Sequence, residues 1–120
     1  MLHGCGVNDG TEITEAVSLL VNLSKVGAYT ECFAPNRAQA HVVNHLTGEE
    51  QKEERNVMVE SARISRGNCK DLVDLNANDF DALIIPGGFG AAKNLSDFGF
   101  KGQDYAVKQD VAAVLQEFHK

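Results

Sequence analysis

The run Asp81-Ala82-Leu83-Ile84-Ile85-Pro86 passes directly into Gly87-Gly88-Phe89-Gly90, and no other stretch of the 120 residues restricts the fold as tightly. Four consecutive apolar residues bounded by turn signals read as a strand covered on both faces, the pattern of a parallel sheet. The glycines that follow let the backbone turn sharply and leave its N–H groups open to an incoming group. Two uses fit such a bend. It is an oxyanion hole, in which the Gly87 and Gly88 amides stabilise charge on a carbonyl oxygen, or it is simply a tight turn.

Helices flank this strand in the sequence. From Thr11 to Val26 the apolar residues Ile13, Ala16, Val17, Leu20, Leu23 and Val26 recur at three- and four-residue steps, the face of an amphipathic helix. Asp9 or Thr11 can cap its start and Gly27 can stop it. A second helix is predicted over Asn56 to Ser65, stopped by Gly67, and a last one over about Val107 to Phe118. Ala28 to Ala34 reads as a strand ended by Pro35, Ala40 to Leu46 as a short strand or extended segment, and Asp71 to Leu75 as a brief strand. Strands alternating with helices predict a parallel α/β sheet with helices on both faces. Ligands of such sheets gather at the carboxyl ends of the strands. The glycine loops Gly4 to Gly10 and Gly87 to Gly90 both leave strand ends there.

The first loop does not read as a dinucleotide site. After Gly4 and Gly6 the third glycine of that fingerprint falls on Asp9, and Gly10 comes one residue late. Neither loop is followed by Lys-Ser/Thr, so a phosphate-cradling loop is excluded. Glu12 and Glu15 open the first helix directly after the first loop. Both can offset the helix dipole from solvent, and Glu15, set one turn deeper, is expected to be partly buried and able to hold or pass a proton. His41 and His45, four apart on an extended segment, would stand about 13 Å from each other, which suits a polar loop or an interface better than a metal pair. Of the three cysteines, Cys5 lies in a candidate site loop, Cys32 reads as a core residue of a strand, and Cys69 sits in a turn with no visible partner. An odd number at irregular spacing fits a reducing compartment. Seventeen acids against eleven Lys and Arg give a net charge of −6, which argues against nucleic acid or an anionic membrane as partner.

Four motifs occur in order: Gly4-Cys5-Gly6-Val7-Asn8-Asp9-Gly10-Thr11-Glu12-Ile13; His41-Val42-Val43-Asn44-His45-Leu46-Thr47-Gly48-Glu49; Arg55-Asn56-Val57 with Glu60-Ser61-Ala62-Arg63-Ile64; and Pro86-Gly87-Gly88-Phe89-Gly90-Ala91-Ala92-Lys93-Asn94-Leu95-Ser96. Together they resemble the ElbB family of glutamine-amidotransferase-like proteins, within the PfpI-type superfamily, over nearly the whole chain. The resemblance implies a flavodoxin-like parallel sheet sandwiched by helices. It also implies a reactive cysteine on a strained turn, a glutamate at the start of the first helix, and backbone donors after a Pro-Gly-Gly strand. The glutamate maps to Glu15 and the donors to Gly87 and Gly88.

The family's cysteine follows a helix resembling Val107 to Lys120. The nucleophile is therefore expected beyond this chain, and Cys5, Cys32 and Cys69 are not assigned its part. Residues 1–120 are expected to form a single partial domain, lacking the start of the first strand and the nucleophile-bearing portion, and to be inactive alone. The implied activity is that of a glyoxalase-like lyase acting on a small reactive carbonyl without cofactor or metal ion. The alternatives are a non-catalytic binding or scaffolding member, with a homodimer among the forms it can take, and an amidotransferase. Relatives of this kind are mitochondrial in eukaryotes and cytoplasmic in bacteria.

Overall fold

The computed structural model describes all 120 residues. Its helices begin where a side chain can take up a free backbone donor. Helix α1 spans Ile13–Lys25, and its cap is Glu12, whose carboxylate accepts from the Glu15 N–H at 2.7 Å. The two residues expected to cap it are engaged elsewhere. The Asp9 carboxylate accepts from Val43 N at 2.8 Å, and the Thr11 hydroxyl accepts from His3 N at 2.9 Å. Helix α1 ends as expected at Gly27, with φ +78°. Helix α2 is Val57–Ile64, capped by Asn56, whose amide oxygen accepts from Val59 N at 3.0 Å.

Two parallel strands, β1 (Cys32–Ala34) and β2 (Cys69–Asp71), form the assigned sheet, with Cys32 opposite Cys69, Phe33 opposite Lys70 and Ala34 opposite Asp71. Strand β1 is shorter than the predicted Ala28 to Ala34, since only Cys32–Ala34 find a partner strand and Tyr29 stands in solvent. Strand β2 starts earlier than predicted and stops at Asp71, whose carboxylate accepts from Val73 N at 3.2 Å and turns Leu72–Asp74 into a 3₁₀ helix. Of the predicted segment 40–46, only the part around Val43 pairs, in one antiparallel bridge to Glu50. Ala40 lies in a bend, and His45 and Leu46 lie in a turn closed by Gly48 N donating to Asn44 O at 2.7 Å, so the two histidines do not share one extended segment.

Met1 to His3 lies beside β1, with Leu2 N donating to Phe33 O at 2.8 Å, while the Met1 ammonium donates to Ile84 O at 2.8 Å. The segment Asp81 to Pro86 is thus extended beside the first residues, but it forms no regular ladder. It is also covered on one face only. Leu83 and Ile85 pack on the core, whereas Ile84 is 40% exposed and borders an apolar groove of about 530 Å³ with Leu20, Leu23 and Phe118.

Two short helices were not legible in the periodicity, α3 (Gly90–Lys93) and α4 (Phe98–Lys101). Helix α5 runs over Gln109–His119, beginning two residues later than predicted because Val107 bridges to Ser96. No helix is long and apolar enough to cross a membrane.

Alternation along β1 divides the core between two faces. Phe33 joins Met1, Leu72, Leu95, Val111 and Val114, under α5. Ala34 joins Leu2, Ala16 and Val57, under α1 and α2. The α/β architecture with a parallel sheet and helices on both faces is therefore as predicted. The apolar face of α1 is only partly buried, since Ala16 is covered while Ile13, Val17 and Val21 are exposed.

Leu72 is 1% exposed in the larger cluster. Its truncation in Leu72→Ala leaves a cavity and is expected to cost about 2–5 kcal/mol. The adjacent Val73→Ala, at an exposed side chain, should stay within about 0.5 kcal/mol of the parent. Urea unfolding of both variants checks this.

Candidate functional site

The two glycine loops meet at one end of the sheet, and the contact is made by backbone. Phe89 N donates to Val7 O at 2.8 Å, Gly90 N to Gly10 O at 2.9 Å, and Glu12 N to Gly87 O at 2.8 Å. Approach this close needs glycine. Gly88 has φ +114°, and a Cβ there would lie 2.3 Å from Gly10 O and 2.5 Å from Glu12 N. A Cβ at Gly90 would meet His3 O at 2.4 Å.

This seam brings the start of α1 against the glycine bend. The Glu15 carboxylate accepts from Gly87 N at 2.7 Å across 72 positions of sequence. Glu15 is exposed, not partly buried as its place in the helix suggested. Position 15 opens toward the mouth of the loops, while Ala16 turns inward. The amides at Gly87 and Gly88 also differ in a way the sequence did not foretell. The Gly87 N–H is taken by Glu15, whereas the Gly88 N–H has no acceptor within the chain. Glu12 is tied into the helix start as its cap.

The first loop is braced from behind by residues whose part was not apparent in the sequence. Asn94, 2% exposed, donates to His3 O at 2.8 Å and Asp9 O at 3.0 Å, and accepts from Ala40 N at 3.0 Å. Lys93 donates to Asn8 O at 2.7 Å and contacts His41 Nδ1 at 3.0 Å. Nδ1 can only accept from the ammonium, so Nε2 of His41 carries the proton and faces Glu50 at 3.2 Å. His45 has the opposite tautomer. Its Nε2 accepts from Asn8 N at 3.1 Å, leaving Nδ1–H to donate to Val43 O at 3.1 Å. Both histidines thus act as braces of the loop, the polar role expected of them, with separate partners. Lys93 and Asn94 lie within the Pro-Gly-Gly motif, but a lysine and an asparagine after a turn carry no spacing signal for this task.

Cys5 is half-buried, and its thiol is pushed above the usual range by burial. Its charged neighbours are Arg63, Glu60, Asp9 and Arg55. Glu60 is 6% exposed and paired with Arg55 Nη1 at 3.1 Å and Arg63 Nε at 2.6 Å. Cys5 is therefore a protonated thiol beside an ion network on α2, which suits structure better than attack. Cys32 and Cys69 lie in the strands, Cys69 in β2 and not in a turn.

His3 is fully buried, with Nε2 2.9 Å from Pro86 O, so it ties the first residues to the strand end before the glycine bend. Its Nδ1 has no partner. Burial lowers its pKa to about 4. The folded protein therefore holds a neutral imidazole where the unfolded chain takes up a proton near pH 6.5. Stability from this site is full above pH 6.5 and is lost as pH falls from 6.5 toward 4, by about 3 kcal/mol. Urea unfolding across that window should show a shallower pH slope for His3→Gln than for the parent.

The parallel α/β fold is the one that the resemblance to amidotransferase-like proteins implies. Comparison with known proteins leads to the same class. No protein-family model matches the chain. It is 55% identical over 120 residues to the rat (Rattus norvegicus) ES1 protein homolog, mitochondrial, covering 99% of this chain and 45% of that protein. It is 54% identical over 121 residues to the human (Homo sapiens) glutamine amidotransferase-like class 1 domain-containing protein 3, mitochondrial, covering 100% of this chain and 45% of that protein. The zebrafish (Danio rerio) ES1 protein, mitochondrial, is 45% identical over 125 residues, covering 100% of this chain and 46% of that protein.

Among solved structures, the Ehrlichia chaffeensis isoprenoid biosynthesis protein with amidotransferase-like domain superposes with a TM-score of 0.93. It shares 42% identity, over 98% of this chain and 55% of that one. The chain is thus homologous to the ES1 and ElbB-like proteins with an amidotransferase-like domain, as its motifs indicated. It spans just under half the length of the curated relatives it matches.

Proposed function

We propose that the intact protein processes small reactive carbonyls such as glyoxal, in the manner of a cofactor-independent glyoxalase, with a cysteine nucleophile supplied from outside residues 1–120. One observation carries this reading: the Glu15 carboxylate is held at 2.7 Å by the Gly87 N–H, beside a Gly88 N–H that no group of the chain occupies. Addition of a thiolate to an aldehyde carbon puts negative charge on the carbonyl oxygen. A backbone N–H freed by a glycine turn is the kind of donor that stabilises such charge. The adduct becomes a thioester when a proton leaves the carbon that bears sulfur and arrives at its neighbour, and a nearby carboxylate performs that shuttle. Hydrolysis of the thioester then releases the hydroxy acid and the thiolate.

In this scheme Glu15 is the proton carrier, Gly88 the oxyanion donor, and Gly87 the group that positions Glu15. The three curated relatives carry the word mitochondrial in their names, and we place the intact protein in the same compartment.

A second reading has its own support. With Gly87 already engaged by Glu15, one free amide remains in place of two, which suits a module that binds without turnover. Glu15→Gln in the intact protein separates them. Glutamine still accepts from Gly87, so the loops keep their geometry, but it cannot take a proton. Glyoxal turnover is expected to fall by about 100-fold or more, with an unchanged unfolding midpoint. Turnover equal to the parent's would favour the binding module.

A further inference from the structure

We propose that Cys32 and Cys69 are a redox-active dithiol that closes to an intramolecular disulfide by exchange with a small-molecule disulfide of the glutathione type. The two residues are direct register partners on β1 and β2. Adjacent parallel strands lie about 4.8 Å apart, within the roughly 4.4–6.8 Å of Cα separation that a disulfide spans.

Both thiols also leave the sheet on the same side. Phe33 turns into the core cluster of Leu72 and Val111, so Cys32 and Ala34 turn the other way, and Cys32 and Cys69 both pack on the cluster of Leu2, Ala16, Ala34 and Val57. On the opposite face Lys70 pairs with Glu31 at 2.8 Å and stands 5.9 Å from the centroid of the Phe33 ring, which holds the two strands in this register.

The pair is reachable. Both cysteines are half-buried and border a groove of about 730 Å³, together with Thr30, Ile64 and Arg66. Burial raises both thiols, Cys69 to about 11, so thiolate is scarce at neutral pH and exchange is slow; what sets the pair apart from Cys5 is the partner thiol in register. Cys5 lies elsewhere, beside Arg63 and Glu60.

Exchange proceeds in two displacements. Cys32, as thiolate, attacks one sulfur of the small disulfide and expels the first small thiolate. Cys69 then gives up its proton and attacks the Cys32 sulfur, forming the Cys32–Cys69 bond and expelling the second. Two cysteine thiols are oxidised, one disulfide is reduced to two thiols, and the two protons pass to the departing thiolates. Side chains that leave a parallel sheet side by side keep roughly the strand spacing, longer than the relaxed Cβ separation of a disulfide. The closed form is therefore strained and easily reduced again.

The test is incubation of the purified native protein with oxidised glutathione, alkylation, and peptide mass mapping. The expected result is a Cys32–Cys69 linked peptide, loss of both residues from the alkylated pool, Cys5 still alkylated, and full reversal by dithiothreitol. Cys32→Ser and Cys69→Ser should each trap a glutathione adduct on the remaining cysteine of the pair. Stable glutathione adducts on Cys32 or Cys69 in the parent without the link, pairing of either with Cys5, or no reaction of the folded protein would each overturn the proposal.

Discussion

The bend at Gly88 has room for hydrogen and nothing larger. Its φ of +114° and the 2.3 Å that would separate a Cβ from Gly10 O make this the point where the two glycine loops are pressed together. The hydrogen bonds of Glu12, Phe89 and Gly90 follow from that contact, because each needs the two backbones within hydrogen-bonding distance. Once the seam is closed, the first turn of α1 has one position relative to the end of the 81–86 segment. The Glu15 carboxylate then falls on the Gly87 N–H without any further device.

The seam is held from the other side by buried polar groups, which makes it costly to open. Asn94 satisfies acceptors on His3 and Asp9, and Asp9 in turn satisfies Val43 N. Removing one member of such a set strands the others away from water, at about 1–3 kcal/mol for each group left unpaired. Lys93, His41 and His45 extend the bracing to the half-exposed rim around Asn8. The loop that begins the chain's first helix is consequently among its better-anchored segments, although its composition of glycine, asparagine and aspartate suggests the contrary.

The sequence was most legible where the signal is local. The helices at 13–25, 57–64 and 109–119 follow from apolar spacing and stop signals, and the meeting of the two glycine loops follows from the parallel α/β layout. It was least legible where a residue's fate depends on a distant partner. Ala82 to Ile85 reads as covered on both faces, yet Ile84 faces a groove, because hydropathy reports preference for burial and not what is available to cover it. Strand lengths were overestimated for the same reason, since β1 and β2 extend only as far as each finds a neighbour. Asp9 and Thr11 are good caps by type but were drawn away by Val43 and His3, contacts that no local rule contains. The likeness to amidotransferase-like relatives lies in ordered motifs and holds over the chain, whereas the split fate of the Gly87 and Gly88 amides depends on a carboxylate 72 positions away.

The central claim is that Glu15 and Gly87 are joined across the two loops, and amide proton NMR tests it directly. The Gly87 resonance should lie downfield of ordinary glycine amides and move upfield as acid protonates the Glu15 side chain, tracing the same curve as the Glu15 side-chain carbon. In Glu15→Gln that pH-dependent movement should vanish. A Gly87 amide that ignores the titration of Glu15, or that moves identically in the variant, would contradict the account.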